Sequence, residues 1–142
     1  MKKLKWYGIL FALFVLFIYI MGIYDLFMML SHNPNYYESK GYGQIVVDYF
    51  TDYPIYLLVF WIGNLICGLL SPLLYLLKNK HSYKVAMTSF VCDFILMFLG
   101  VIFRNRLNVL GINIFCFDLL ILIITLLFGI YLYFNNKKNI NP

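Results

Sequence analysis

Residues 6–30 read WYGILFALFVLFIYIMGIYDLFMML, twenty-five positions with one acid, Asp25, and no base. A helix of that length rises roughly 38 Å at ~1.5 Å per residue, enough to cross a hydrocarbon core of ~30 Å. Three further runs have the same character, at residues 55–77, 85–103 and 112–134. None alternates apolar and polar side chains with a period of two, which removes a strand barrel. The expected fold is all-α: a polytopic membrane protein, with residues 1–142 forming one four-transmembrane-helix bundle and no second domain.

Composition extends this reading to the whole chain. The 142 residues are 63% hydrophobic and 20% aromatic but only 12% charged, about half the charge that covers a soluble domain, and mean hydropathy is +0.83. The net charge of +5 does not point to nucleic acid, because the eleven Lys and Arg stand in short groups between apolar runs rather than along one polar face. Lys2, Lys3, Lys5, Lys78, Lys80, Lys84, Lys137 and Lys138 flank one side of the bundle, and Lys40, Arg104 and Arg106 the other. That asymmetry places both termini in the cytoplasm. Frequent Ile, Phe, Tyr, Asn and Lys with only two Ala matches an AT-rich bacterial genome, so the expected location is the bacterial cytoplasmic (inner) membrane. The Met-Lys-Lys-Leu-Lys start imitates a secretory signal. Its apolar stretch is too long, however, and no A-x-A-like site follows, so it reads as an uncleaved first span.

Residues 31–54 form the long connection. Ile45, Val46, Tyr49, Phe50 and Tyr53 recur at helical spacing, while Gln44, Asp48 and Asp52 recur on the opposite side. This predicts a short amphipathic helix over residues 43–53, lying on the outer surface or capping the bundle. Asn33-Pro34-Asn35 and Gly41-Tyr42-Gly43 read as turns before it.

Charges inside hydrocarbon are the informative residues, since an Asp at a helix centre costs about 2.5–3.5 kcal/mol on insertion scales. Asp25, Asp93 and Asp118 all fall inside apolar runs. Ala86, Ser89, Asp93, Met97, Gly100 and Arg104 share one stripe of the third helix, Asn64, Gly68 and Ser71 one of the second, and Asp118, Thr125 and Gly129 one of the fourth. The candidate polar cluster is therefore Asp25, Asn64, Asp93 and Asp118, with Arg104 or Arg106 as counter-ion. Two readings stay open. One is a polar cavity, open to the outer side, that binds a small solute or relays protons. The other is a set of hydrogen bonds and ion pairs that hold a small bundle together.

Other chemistry is not signalled. Cys67, Cys92 and Cys116 are odd in number, lie in apolar runs and lack CxxC spacing, so neither a disulfide framework nor a metal site is expected. His32 and His81 belong to loops on opposite sides. No nucleophile elbow, phosphate-cradling glycine loop or H-E-x-x-H occurs, and neither an enzyme nor a cofactor is expected.

Gly22-x-x-Asp25 followed by Met28 and Met29, then Asn33, Tyr36, Tyr53-Pro54, Trp61, Leu76-Leu77-x-x-Lys80, Ala86 and Ser89, resembles a group of small bacterial four-helix inner-membrane proteins. Some of these carry an automatic sugar-transporter label, and the architecture is also similar to that of small DoxX-type proteins. The resemblance covers most of the first three helices. Asp118 and Arg104-Asn105-Arg106 depart from the pattern, so it implies no role for them. The expected function is an accessory or structural membrane component, with a small-solute or proton-coupled transporter acting as an oligomer as the alternative. The expected partners are the lipid bilayer and a homo-oligomer or larger membrane complex, and no nucleic acid.

Overall fold

The computed structural model describes residues 3–140, and the side chains up to Lys137. Lys2 and the side chain of Lys138, which enter the cation count, lie outside the described residues. Four long helices carry the apolar runs: α1 (Trp6–Leu30), α4 (Ile55–Leu76), α5 (Ser82–Phe103) and α7 (Ile112–Ile140). Each is long and apolar enough to cross a membrane, and no strand occurs among the described residues. The chain is thus a multi-pass membrane protein by length and composition of its helices. Helix and apolar run do not coincide at the ends. The α5 helix begins at Ser82 and α7 runs on to Ile140, because polar residues prolong a helix into water as readily as apolar ones.

Helix α1 packs on α4, α4 on α5, α5 on α7, and α7 returns to α1. Outside the ring, Leu10, Phe14, Val59, Phe94, Phe98 and Leu120 are exposed. Large side chains of this kind spread over a whole perimeter fit lipid as the solvent. At the end carrying the termini, α1 and α7 close on each other. Phe11 and Phe128 meet edge to face at 5.0 Å, and Tyr75 and Tyr131 hydroxyls lie 3.1 Å apart beside Gly8, where no side chain would fit.

Pro72 lies inside α4 and cannot donate to the carbonyl four residues back, that of Gly68. In hydrocarbon an orphaned carbonyl is costly. Ser71 Oγ supplies the missing donor at 3.3 Å from Gly68 O.

The other end is capped by α2 (Pro34–Ser39), α3 (Gln44–Phe50) and α6 (Arg106–Leu110). The expected amphipathic helix is present as α3 but shorter: Gly43 is its N-cap and Thr51 its C-cap, and Asp52 adopts φ +49° beyond it. Val46, Tyr49 and Phe50 are buried, whereas Gln44 and Asp48 are exposed. The segment read as the first turn is instead helix α2. Asn33 is its N-cap, with Oδ1 3.1 Å from Tyr36 N, and Pro34 stands at the first helical position, a pairing that starts helices as readily as it makes turns. The connection after the third span holds α6, entered through Asn105 at φ +53° and left through Gly111 at φ +91°. Met29, Tyr37, Val46, Tyr49 and Phe50 form a second core under this cap. Tyr37 Oη donates to Met29 O at 2.5 Å, tying α2 to the last turn of α1.

Because Asn33 starts α2, Asn33→Ala is expected to cost about 1 kcal/mol and to loosen α2 first. Amide hydrogen exchange should show lost protection confined to residues 34–40. Unchanged exchange there would refute the capping role.

Candidate functional site

Beneath the cap, the four long helices enclose a cavity of about 630 Å³. Each long helix contributes a polar side chain to it: Asp25 from α1, Asn64 from α4, Asp93 from α5 and Asp118 from α7, with Arg106 entering from α6. Five of the six residues singled out from sequence therefore face one space. Arg104 is not among them. Its guanidinium turns to the cap, donating to Tyr49 O and lying 4.9 Å over the Tyr49 ring. The positional reason is local: Arg104 ends α5, while Asn105 in the left-handed region reverses the chain and turns Arg106 back toward the bundle.

Arg106 Nη2 lies 2.9 Å from Asp118 Oδ2, and Nε lies 3.3 Å from the same oxygen. Burial works against the Arg106 charge, but Asp118, with Tyr49 and Tyr53 beside it, holds the guanidinium above its ordinary pKa. Asp25 is held differently, as acceptor from the Tyr36 hydroxyl. Burial, with that carboxylate beside it, pushes the Tyr36 hydroxyl above the usual phenol range and keeps its proton in place to be donated. Lys40 lies 5.5 Å over the Tyr36 ring and brings a second positive charge to the roof of the cavity. Asp93, halfway along α5, is 7% exposed and lines the cavity.

The floor is a hydrogen-bonded belt with one residue from each long helix. Tyr19 Oη lies 2.5 Å from Thr125 Oγ1 and 3.3 Å from Asn64 Oδ1, and Ser89 Oγ lies 2.7 Å from Asn64 Oδ1. Thr125 Oγ1 also donates to Ile121 O at 2.9 Å. Tyr19, Ser89 and Thr125 are at most 2% exposed. Such a belt gives each of the three buried hydroxyls a partner, and it closes the cavity toward the end carrying the termini. Asn64 thus serves both cavity and floor.

Tyr19, Tyr36, Lys40 and Trp61 also line the cavity and were not singled out as site residues from sequence. Tyr36 in α2 and Lys40 at its C-cap do stand one turn apart, but that signal is readable only once α2 is known to be a helix. Among the described residues no three His, Cys, Asp or Glu side chains form a metal-holding group.

The chain matches no family model, no curated protein and no solved structure.

Proposed function

We infer that the protein is an accessory component of the bacterial inner membrane that holds a small ligand in its capped cavity, with the cap outside and both termini in the cytoplasm. The supporting observation is the cavity of about 630 Å³ with Asp25, Asn64, Asp93, Asp118 and Arg106 on its walls, a size and a mix of polar and apolar lining typical of small-molecule sites. Packing between helices needs no such space. A conduit through the chain is disfavoured by the Tyr19–Asn64–Ser89–Thr125 belt and the Tyr75–Tyr131 contact beneath it. Transport would require that floor to break, or several copies to form a path together, so binding is the reading preferred over transport. The cation count supports the orientation.

Cysteine labelling tests this reading. With Cys67, Cys92 and Cys116 replaced by alanine, Met97→Cys lies on the cavity wall and Ser89→Cys in the floor. A small, membrane-impermeant thiol reagent added to intact cells is expected to modify Met97→Cys and to leave Ser89→Cys unmodified. Modification of Met97→Cys only after permeabilisation would reverse the orientation. No modification under either condition, nor by a membrane-permeant maleimide, would remove the cavity as a binding site.

A further inference from the structure

The carboxyl groups of the cavity outnumber its cations. Three carboxylates, Asp25, Asp93 and Asp118, share it with two cations, Lys40 and Arg106. Asp118 is paired with Arg106 at 2.9 Å. Asp25 accepts from Tyr36 below Lys40. Asp93 has no hydrogen-bonding or ionic partner among the described residues, although it is 93% buried by its 7% exposure and opens into the cavity. A carboxyl group so placed is costly in a membrane interior, and such groups pair with a cation or a donor when one can reach them.

The surroundings of Asp93 define what that donor must carry with it. Tyr19 and Trp61 present aromatic surface to the same space, and Leu65, Leu96 and Met97 present aliphatic surface. Aromatic faces attract an organic cation, the more so as water is excluded. The side of the cavity between α1 and α7 is lined by Phe17, Met21 and Phe117, which are also 50–61% exposed on the perimeter of the bundle. Residues that face both the cavity and the lipid mark a sideways opening into the hydrocarbon. A strongly hydrated polyol has no use for that route, whereas an apolar body with one charged end does.

We propose that the cavity takes an amphiphilic organic ammonium ion, whose protonated amine pairs with Asp93 while its apolar body lies against Trp61 and Tyr19 and enters between α1 and α7. This rests on the ligand-binding reading above and specifies its substrate class. A charge-assisted N–H···O contact in a site of low dielectric is roughly twice as strong as a neutral one, so charge rather than shape governs selection.

The test follows Trp61 fluorescence in the Trp6→Phe protein, purified in dodecyl maltoside, with three probes of one skeleton: phenylpropylammonium, the corresponding alcohol and the corresponding carboxylate. The ammonium is expected to saturate the Trp61 signal at a concentration at least about tenfold below the alcohol, a gap of about 1.4 kcal/mol, with the carboxylate weaker still. Asp93→Asn is expected to abolish the preference for ammonium over alcohol, and Asp93→Glu to retain it. Equal affinity for ammonium and alcohol, stronger binding of the carboxylate, or no binding of any probe would overturn the proposal, and so would a preference that survives Asp93→Asn. The wild-type ranking decides the matter even if the Asn variant does not fold. Labelling of Met97→Cys by the membrane-permeant maleimide remains an independent measure of whether the cavity admits a small molecule at all, so failure of the ligand class and failure of the binding reading are distinguished.

Discussion

Replacing Gly68 with alanine is expected to destabilise the protein by about 3 kcal/mol, the sum of an overpacking cost of ~1–3 kcal/mol and ~0.6 kcal/mol for each interhelical hydrogen bond loosened with it. A Cβ at Gly68 would overlap the ring of Tyr19, and that ring is fully enclosed at 2% exposure. The ring cannot move without carrying its hydroxyl away from Thr125 and Asn64. The neighbouring glycine provides the control. A Cβ at Gly63 would stand 3.4 Å from Cys92 Sγ, an ordinary contact, and Gly63→Ala should gain the ~0.5–1 kcal/mol by which alanine favours a helix interior. Equilibrium unfolding in mixed dodecyl maltoside and SDS micelles, followed by circular dichroism, measures both. A Gly68→Ala protein as stable as Gly63→Ala would show that Tyr19 is not held where the belt requires it.

Asp118→Ala is expected to cost about 3 kcal/mol, the low end of the range for breaking a buried ion pair, because its side chain and that of Arg106 keep 21% and 19% exposure. The loss comes from the charge left behind on Arg106, which cannot discharge and has no other carboxylate at hydrogen-bonding distance among the described residues. Removing both charges, as Arg106→Met with Asp118→Leu, should recover stability to within about 1 kcal/mol of the native protein, since apolar replacements of similar volume often match buried pairs. The same unfolding measurement applies. If Asp118→Ala and the double variant unfold together, the pair contributes nothing and Arg106 finds water or lipid phosphate instead.

The two substitutions act on different layers. Gly68 belongs to the floor, where neutral hydroxyl and amide groups join all four long helices, whereas Arg106 and Asp118 belong to the wall, where charge joins the cap to the bundle. Loss of the floor should loosen the whole ring, and loss of the pair should free α6 first, because α6 touches α7, α3 and α5 only at the cap end.

Four apolar runs of the right length determine four long helices without any tertiary information, because hydrocarbon forces a spanning segment to satisfy its own backbone. The intramembrane acids were legible for the same reason: in a chain so poor in charge, Asp25, Asp93 and Asp118 stand out, and helical spacing puts Asp93 on the stripe of Ser89 and Asn64 on that of Gly68. The amphipathic period of residues 44–50 likewise carried α3. Tertiary structure decided the rest. Whether Arg104 or Arg106 reaches an acid depended on one left-handed residue, Asn105, and sequence spacing does not register a single backbone reversal. That Asn33-Pro34 opens a helix rather than a turn depended on Tyr37 finding Met29 O and a second core to fill. The belt could not be read from any one helix, because its four members are 25 to 106 residues apart along the chain and only packing makes them neighbours. The cavity follows from the same fact, since an enclosed space belongs to four walls and no stretch of sequence contains more than one.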